Sequence, residues 1–433
     1  MQPTLPSCHS EIAAEAVTAL PFSAHCCENG LVSIHQESTV APVVVADVWV
    51  RAGAAAEPSD RGGMAHFLEH MLFKGTDRLP PGAFDWEIES CGGMTNAATS
   101  HDYAHFYLTI AAEYLPQTLP HLADLLLHPA LPADEFERER WVVLEEIRAC
   151  QDDPEWLGFQ RLSELLYGDH AYGRSVLGEP EQLQAYTPEH MRQFYQSCYQ
   201  PENLAIALVG AIDRSRASTL IEEHFTGFAP QPPSVATPAA TPVKPMQEIQ
   251  RDRLQVPRLE AGRLLMGWLG PGVEDMQTGY CLDLLATVLA EGRTSRLVRE
   301  LREERHLAWD VGSTFSLQRD ASLFTIAAIA APEDLAEIEQ ILCDRLAEIA
   351  ATPIAEVELH RAQRLLCQDY AFSTETPGQL AGLYGYYQTL TNRADLALAY
   401  PQRIGQLTAT DLQQVARRYL SSERYAVVTV EPT

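Results

Sequence analysis

Long apolar runs are missing from this sequence. No stretch of 18 consecutive apolar residues occurs, and the richest segment, "APVVVADVWV" at 41–50, has the length and valine content of a strand, so no membrane span is expected. The first 30 residues contain neither Lys nor Arg. That argues against a secretory leader, which starts with basic residues, and against an Arg-rich mitochondrial presequence, so a cytoplasmic location is expected. Cys-x-x-Cys is absent: the nine cysteines are odd in number and scattered, which reads as a reduced protein, with the vicinal Cys26-Cys27 as packing. Positive charge is scarce, 31 Lys and Arg against 59 Asp and Glu, for a net charge of −28. A chain so acidic repels nucleic acid and anionic membranes and attracts cations; the charge serves either solubility or a binding chamber for basic peptides.

At 433 residues the chain exceeds one ordinary core and suits two domains of about 200 residues. "FAPQPPSVATPAATPVKP" at 228–245 is one-third proline with small neighbours, the composition of a linker. The expected organisation is a first domain at 1–227, a Pro-rich linker at 228–250 and a second domain at 251–433. The two parts look alike. "TPEHMRQFYQSCYQPENLAIALVGAI" (187–212) matches "TATDLQQVARRYLSSERYAVVTVEPT" (408–433) at an offset of 221, pairing Thr187 with Thr408 and Glu202 with Glu423. At the same offset "ERERWVVLEEIR" (137–148) falls on "ELHRAQRLLCQD" (358–369). Two matches at one offset indicate duplicated domains. In the first, a strand near 42–51, helices near 62–74 and 80–91 and a strand at 103–111 precede long helices. The elements do not alternate as βαβ, so the expected class is α+β.

The chemistry concentrates in "GGMAHFLEHMLFKGT" (62–76). On a helix His66 and His70 lie four apart on one face, about 6 Å along the axis, within reach of one metal ion. Glu69 flanks that face, placed to take a proton from water. By itself such a pair also occurs on ordinary helices. Here Met64, Phe67, Leu68 and Met71 bury the segment, and buried imidazoles need partners. A catalytic zinc needs a third protein ligand. In "ERERWVVLEEIRACQDDP", Val142, Val143 and Ile147 form an apolar stripe, while Glu139 and Glu146 lie seven apart on one face; either can enter a shared cleft. A second His pair, His101 and His105 in "HDYAH", leads into a strand. Residues four apart on a strand are about 13 Å from each other, so this pair is not expected to share a metal.

These motifs resemble the inverted-zincin peptidase family that includes pitrilysin, insulin-degrading enzyme and the mitochondrial processing peptidase. The resemblance runs from "NGLVSIHQ" (29–36) to the last strand. "HFLEH" has the form H-x-x-E-H, and Glu146 follows His70 by 76 residues, as in the family. "GGMTNAATSHDYAHFYL" resembles the edge strand that binds substrate, through Asn96, Ala97, Ala98 and Thr99. The resemblance implies a processing-peptidase-like fold of two homologous domains, each a sheet covered by helices. It also implies one Zn²⁺ per chain on His66, His70 and Glu146, Glu69 as general base, and Glu139 as a residue that orients the site. The implied activity is metalloendopeptidase cleavage of peptides or unfolded segments inside a closed chamber.

The second domain lacks these groups: at the repeat offset Glu139 becomes His360 and Glu146 becomes Cys367. "EGRTSRLVRELREERHLAWDV" (291–311) resembles a family segment whose Arg and Tyr, seven apart, help bind substrate. Arg302 fills the first position, but Trp309 stands where the Tyr is expected. The short members of the family form dimers. The expected partner is therefore a second chain, in a homodimer or in a heterodimer with a homologous chain carrying an intact Arg/Tyr pair. The alternative function is a non-catalytic or partner-dependent subunit of such an assembly.

Overall fold

The computed structural model describes residues 21–228, 242–257 and 259–433. Of the expected linker, residues 229–241 lie outside this set, as do the first 20 residues read above for leader signals. Among the described residues, eleven strands form two sheets. The first comprises β1 (Ser23–Cys26), β2 (Val32–Glu37), β3 (Val43–Val50), β4 (Met94–Thr99), β5 (Ala104–Ala111) and β6 (Leu204–Gly210), in the order β1-β2-β6-β3-β5-β4. The second comprises β7 (Gln250–Val256), β8 (Gly262–Leu269), β9 (Ala308–Ser316), β10 (Leu323–Ala330) and β11 (Ala426–Pro432), in the order β7-β11-β8-β10-β9.

The two orders are the same design. In each half the last strand enters between two earlier ones, parallel to one and antiparallel to the other: β6 between β2 and β3, β11 between β7 and β8, with β1 an added outer strand in the first half. The repeat legible in the sequence is thus a structural repeat. Thr187 and Thr408, matched by sequence, both cap helices, accepting from the backbone N–H of His190 and of Asp411. A Thr cap of this kind stabilises a helix start by about 1 kcal/mol. The fold is α+β with two homologous halves.

Strand composition follows position. β5 alternates buried and half-exposed residues, with Ala104, Phe106, Leu108 and Ile110 turned inward. β6, covered on both faces, is buried throughout and reads as a continuous apolar run. The second cover comes from the other half. The Pro377–Thr391 helix lies on β3 and β6, packing Ala381, Tyr384 and Tyr387 against Ile34, Val45 and Val209. Reciprocally, the Pro154–Tyr167 helix lies on β8 and β11, packing Leu162 and Leu166 against Val428 and Val430. The exchange needs small residues where backbone meets side chain. A Cβ on Gly385 would fall 2.1 Å from Trp49 Nε1, so only glycine lets the helix approach the sheet so closely. Among the described residues, no helix is long and apolar enough to cross a membrane.

Candidate metal centre

The Met64–Leu72 helix begins without a side-chain cap of its own. Gly63 turns the chain in at φ 84°, and a Cβ there would meet the Leu177 carbonyl at 2.4 Å. Glu57, buried in the preceding loop, takes over the capping role: it accepts from the backbone N–H groups of Gly63 at 3.0 Å and Ala65 at 2.7 Å. Burial pushes its carboxyl up to about 8, against the opposing effect of these hydrogen bonds. Met64, Phe67, Leu68 and Met71 are buried in the first core, which fixes the helix face that carries His66 and His70.

On that face the two imidazoles pack edge to face with centroids 4.7 Å apart. Opposite them runs the Ala133–Gln151 helix, held by Phe136, Val143, Leu144 and Ile147 in the same core. It presents both candidate carboxylates, and they do different things. Glu146 Oε2 lies 3.7 Å from His66 Nε2 and 3.6 Å from His70 Nε2. Those separations exceed a hydrogen bond. They suit an ion held between the three atoms at about 2.0–2.1 Å from each. Ligand atoms of His66, His70 and Glu146 all lie within 4.8 Å of one another. Glu139 instead sits behind His70. Its Oε1 is 2.9 Å from His70 Nδ1 and its Oε2 is 2.7 Å from Lys74 Nζ. Glu139 therefore accepts the Nδ1 proton and leaves the Nε2 lone pair of His70 facing the group. Neighbouring Glu145 turns away to pair with Arg148.

The electrostatics agree with this division. Burial, then the neighbouring His70, lowers His66 to about 4, so it is a neutral imidazole able to ligate. Burial acts the same way on His70, but the hydrogen bond and charge of Glu139, with Glu146 and Glu69, outweigh it and raise its pKa. Burial raises Glu139 too, yet the hydrogen bonds from His70 and Lys74 prevail and hold it below the usual range. Glu69 is raised by burial, partly opposed by the Thr99 hydroxyl, which donates to Glu69 Oε2 at 2.5 Å. Among the described residues, the buried His66 Nδ1 has no hydrogen-bond partner.

The other sequence candidates are placed as follows. Asn96, Ala97, Ala98 and Thr99 lie on β4, the outer strand of the first sheet, with Asn96 and Ala98 exposed. Thr99 contacts Glu69 directly, a link not anticipated from sequence. Lys74 was also overlooked, although its spacing of four from His70 could have flagged it. His101 and His105 diverge, one bonding the Arg174 carbonyl and the other Asp47, in keeping with the rejection of a shared metal. Arg302 sits on a π-helical turn, Val298–Glu304, and pairs with Glu303 and Asp310, while Trp309 on β9 is 59% exposed. Among the described residues, no hydrogen bond or ion pair joins either to the three converging residues. At the repeat-related positions in the second half, His360 is exposed and Cys367 packs against that half's core.

Comparison with known proteins matches the chain to one family. Residues 32–180 match the model described as Insulinase (Peptidase family M16), and residues 185–366 match that described as Peptidase M16 inactive domain. An uncharacterized zinc protease of Mycobacterium tuberculosis is 29% identical over 427 residues, covering 96% of this chain and 92% of that protein. An uncharacterized zinc protease of Bacillus subtilis is 27% identical over 409 residues, covering 94% of this chain and 97% of its own length. The crystal structure of a protease from Helicobacter pylori has a TM-score of 0.88 at 25% identity, covering 95% of this chain and 99% of that one. With both halves matched in order by its two domain models, the chain belongs to peptidase family M16.

Proposed function

We propose that the chain is a zinc endopeptidase that hydrolyses extended, preferentially basic peptides in an enclosed chamber. The observation that carries this reading is the convergence of His66, His70 and Glu146 with Glu69 beside them. The donor set, two neutral-capable imidazoles and one carboxylate, suits zinc and leaves a position open for water. When bound, zinc supplies Lewis acidity that polarises a scissile carbonyl and makes water easier to deprotonate. The chain's own groups do the rest. Glu69, its affinity for a proton raised by burial, takes the proton from water and passes it to the leaving amine. Thr99 holds the Glu69 carboxylate in place, and Glu139 holds His70. A peptide adds as a further strand on the free edge of β4, so backbone hydrogen bonds supply affinity with little sequence demand. The net charge of −28 favours basic substrates.

A second reading, a subunit that needs a partner for full activity, rests on Trp309. An indole N–H can donate a hydrogen bond but lacks the hydroxyl expected at that position. The test is metal analysis of the purified chain together with cleavage of a quenched basic peptide, alone and with a homologous chain carrying an Arg/Tyr pair. The reading expects one zinc per chain, lost in His70→Ala, and cleavage in at least one arm. Full zinc occupancy in His70→Ala, or no cleavage in either arm, contradicts it.

A further inference from the structure

Away from the metal centre, the second half holds a cavity of about 180 Å³, lined in part by the helix that crosses to the first sheet. Its walls are aromatic. Tyr280 and Asp283 come from the Met276–Ala290 helix, Phe315 from β9, Tyr386 and Tyr387 from the helix that crosses to the first sheet, and Tyr400 from the Asp395–Gln406 helix. Two of the polar groups are accounted for: Tyr386 donates to the Leu317 carbonyl at 2.7 Å, and Tyr400 donates to Asp283. Two are not. The Tyr280 hydroxyl, on a residue only 4% exposed, is buried with no partner among the described residues. Asp283 has the Tyr400 hydroxyl, but among the described residues no Lys or Arg pairs with it. Arg393 and Arg403 bear electrostatically on Tyr280, yet Arg393 is engaged by Asp395 and Arg403 is exposed to water.

A carboxylate without a counter-charge, an unused hydroxyl and several tyrosine faces around one small space make a consistent demand. Each is satisfied by a cation with N–H donors: the carboxylate by charge, the hydroxyl by a hydrogen bond, the rings through their negative faces. The volume is well below the roughly 300–1,000 Å³ of drug-sized pockets, so the ligand is a head group with a short stem. We propose that this cavity binds a primary alkylammonium group, as borne by a lysine side chain or a small free amine, with Asp283 as counter-charge and the tyrosines as its cage. Because Tyr386 and Tyr387 belong to the crossing helix, an occupied cage ties the second half more firmly to the first. The site is independent of the zinc reading.

The test is calorimetric titration of the full chain at pH 8 with n-butylammonium and with N-acetyl-lysine methylamide, using n-pentanol as the uncharged control. Saturable binding of n-butylammonium is expected, with a rise in thermal midpoint as the ligand is added. Binding of both amines identifies lysine side chains as able to enter, and binding of n-butylammonium alone restricts the cage to free amines. Asp283→Asn should weaken binding at least about tenfold, since a charge-assisted contact is lost. Tyr280→Phe removes a hydroxyl that has no protein partner, so the fold should be retained while affinity falls about threefold. That second variant keeps the test decisive if Asp283→Asn fails to fold. No saturable binding at millimolar amine, equal binding of n-pentanol, or unchanged affinity in Tyr280→Phe and in a folded Asp283→Asn overturns the proposal.

Discussion

Replacing Glu139 by Gln removes one negative charge and keeps the side-chain volume. Glu139 is 6% exposed and accepts from both sides, His70 Nδ1 at 2.9 Å and Lys74 Nζ at 2.7 Å. An amide has one acceptor oxygen. If that oxygen serves His70, the NH₂ faces the Lys74 ammonium, donor against donor; if it serves Lys74, His70 loses the group that fixes its tautomer. Loss of a partner that orients a metal-ligating histidine costs about 10–100-fold in metal affinity, or roughly 1.4–2.7 kcal/mol. Lys74 is 28% exposed and can swing its ammonium into water, so global stability should fall by less than the ~3–5 kcal/mol typical of a broken, fully buried pair. Competition with a zinc chelator measures the first effect and urea unfolding the second. Zinc affinity unchanged within about twofold would refute the orienting role. Complete loss of zinc would make Glu139 a ligand and displace Glu146 from the account.

Three other perturbations follow from the geometry. Gly385→Ala places a Cβ 2.1 Å from Trp49 Nε1, so the crossing helix must lift from β3; urea unfolding should show a loss of about 1–3 kcal/mol with zinc content unchanged, and equal stability would show that the helix is free to shift. Burial raises the Asp283 carboxyl to about 6 from 3.8, so its neutral form favours the fold below pH 4 and that contribution is lost as pH rises through 6; between pH 4 and 7 the wild type should lose roughly 2 kcal/mol relative to Asp283→Asn, and parallel stability profiles would refute the shift. Trp309→Tyr should raise peptide cleavage by the isolated chain about 10²–10³-fold if an oxyanion donor is missing there. A high wild-type rate unaffected by the change would show that Trp309 only packs.

What could be read from sequence was local in nature. The H-x-x-E-H spacing sets two imidazoles on one helix face whatever surrounds them, so His66 and His70 were legible at once. Helix periodicity alone did not separate Glu146 from Glu139, because both lie on the same face two turns apart; the family spacing of 76 residues after His70 singled out Glu146, and the packing of the two helices sets which one meets Nε2 and which one Nδ1. The 221-residue repeat was legible because duplicated caps and strands keep their residue types. The exchange of the Pro154–Tyr167 and Pro377–Thr391 helices between halves was not, since an amphipathic helix shows that it packs but not on which sheet. Thr99 drew notice as an edge-strand residue. Its hydrogen bond to Glu69 depends on the register Thr99↔Ala104, which side-chain alternation alone cannot supply. Asp283 and its tyrosines lie on three helices, one of them far from the other two in the chain, and carry no motif.

The central claim, that Glu69 is the base of a zinc peptidase, is tested most directly by Glu69→Gln. The amide keeps the size of the side chain and can still take the Thr99 hydroxyl hydrogen bond on its oxygen, but it cannot accept a proton. Zinc content and peptide cleavage are measured on the same preparation, together with whichever partner the wild type needs. The account predicts zinc retained at the wild-type level and cleavage reduced by about 10²–10⁴-fold. Cleavage near the wild-type rate with zinc in place would contradict it.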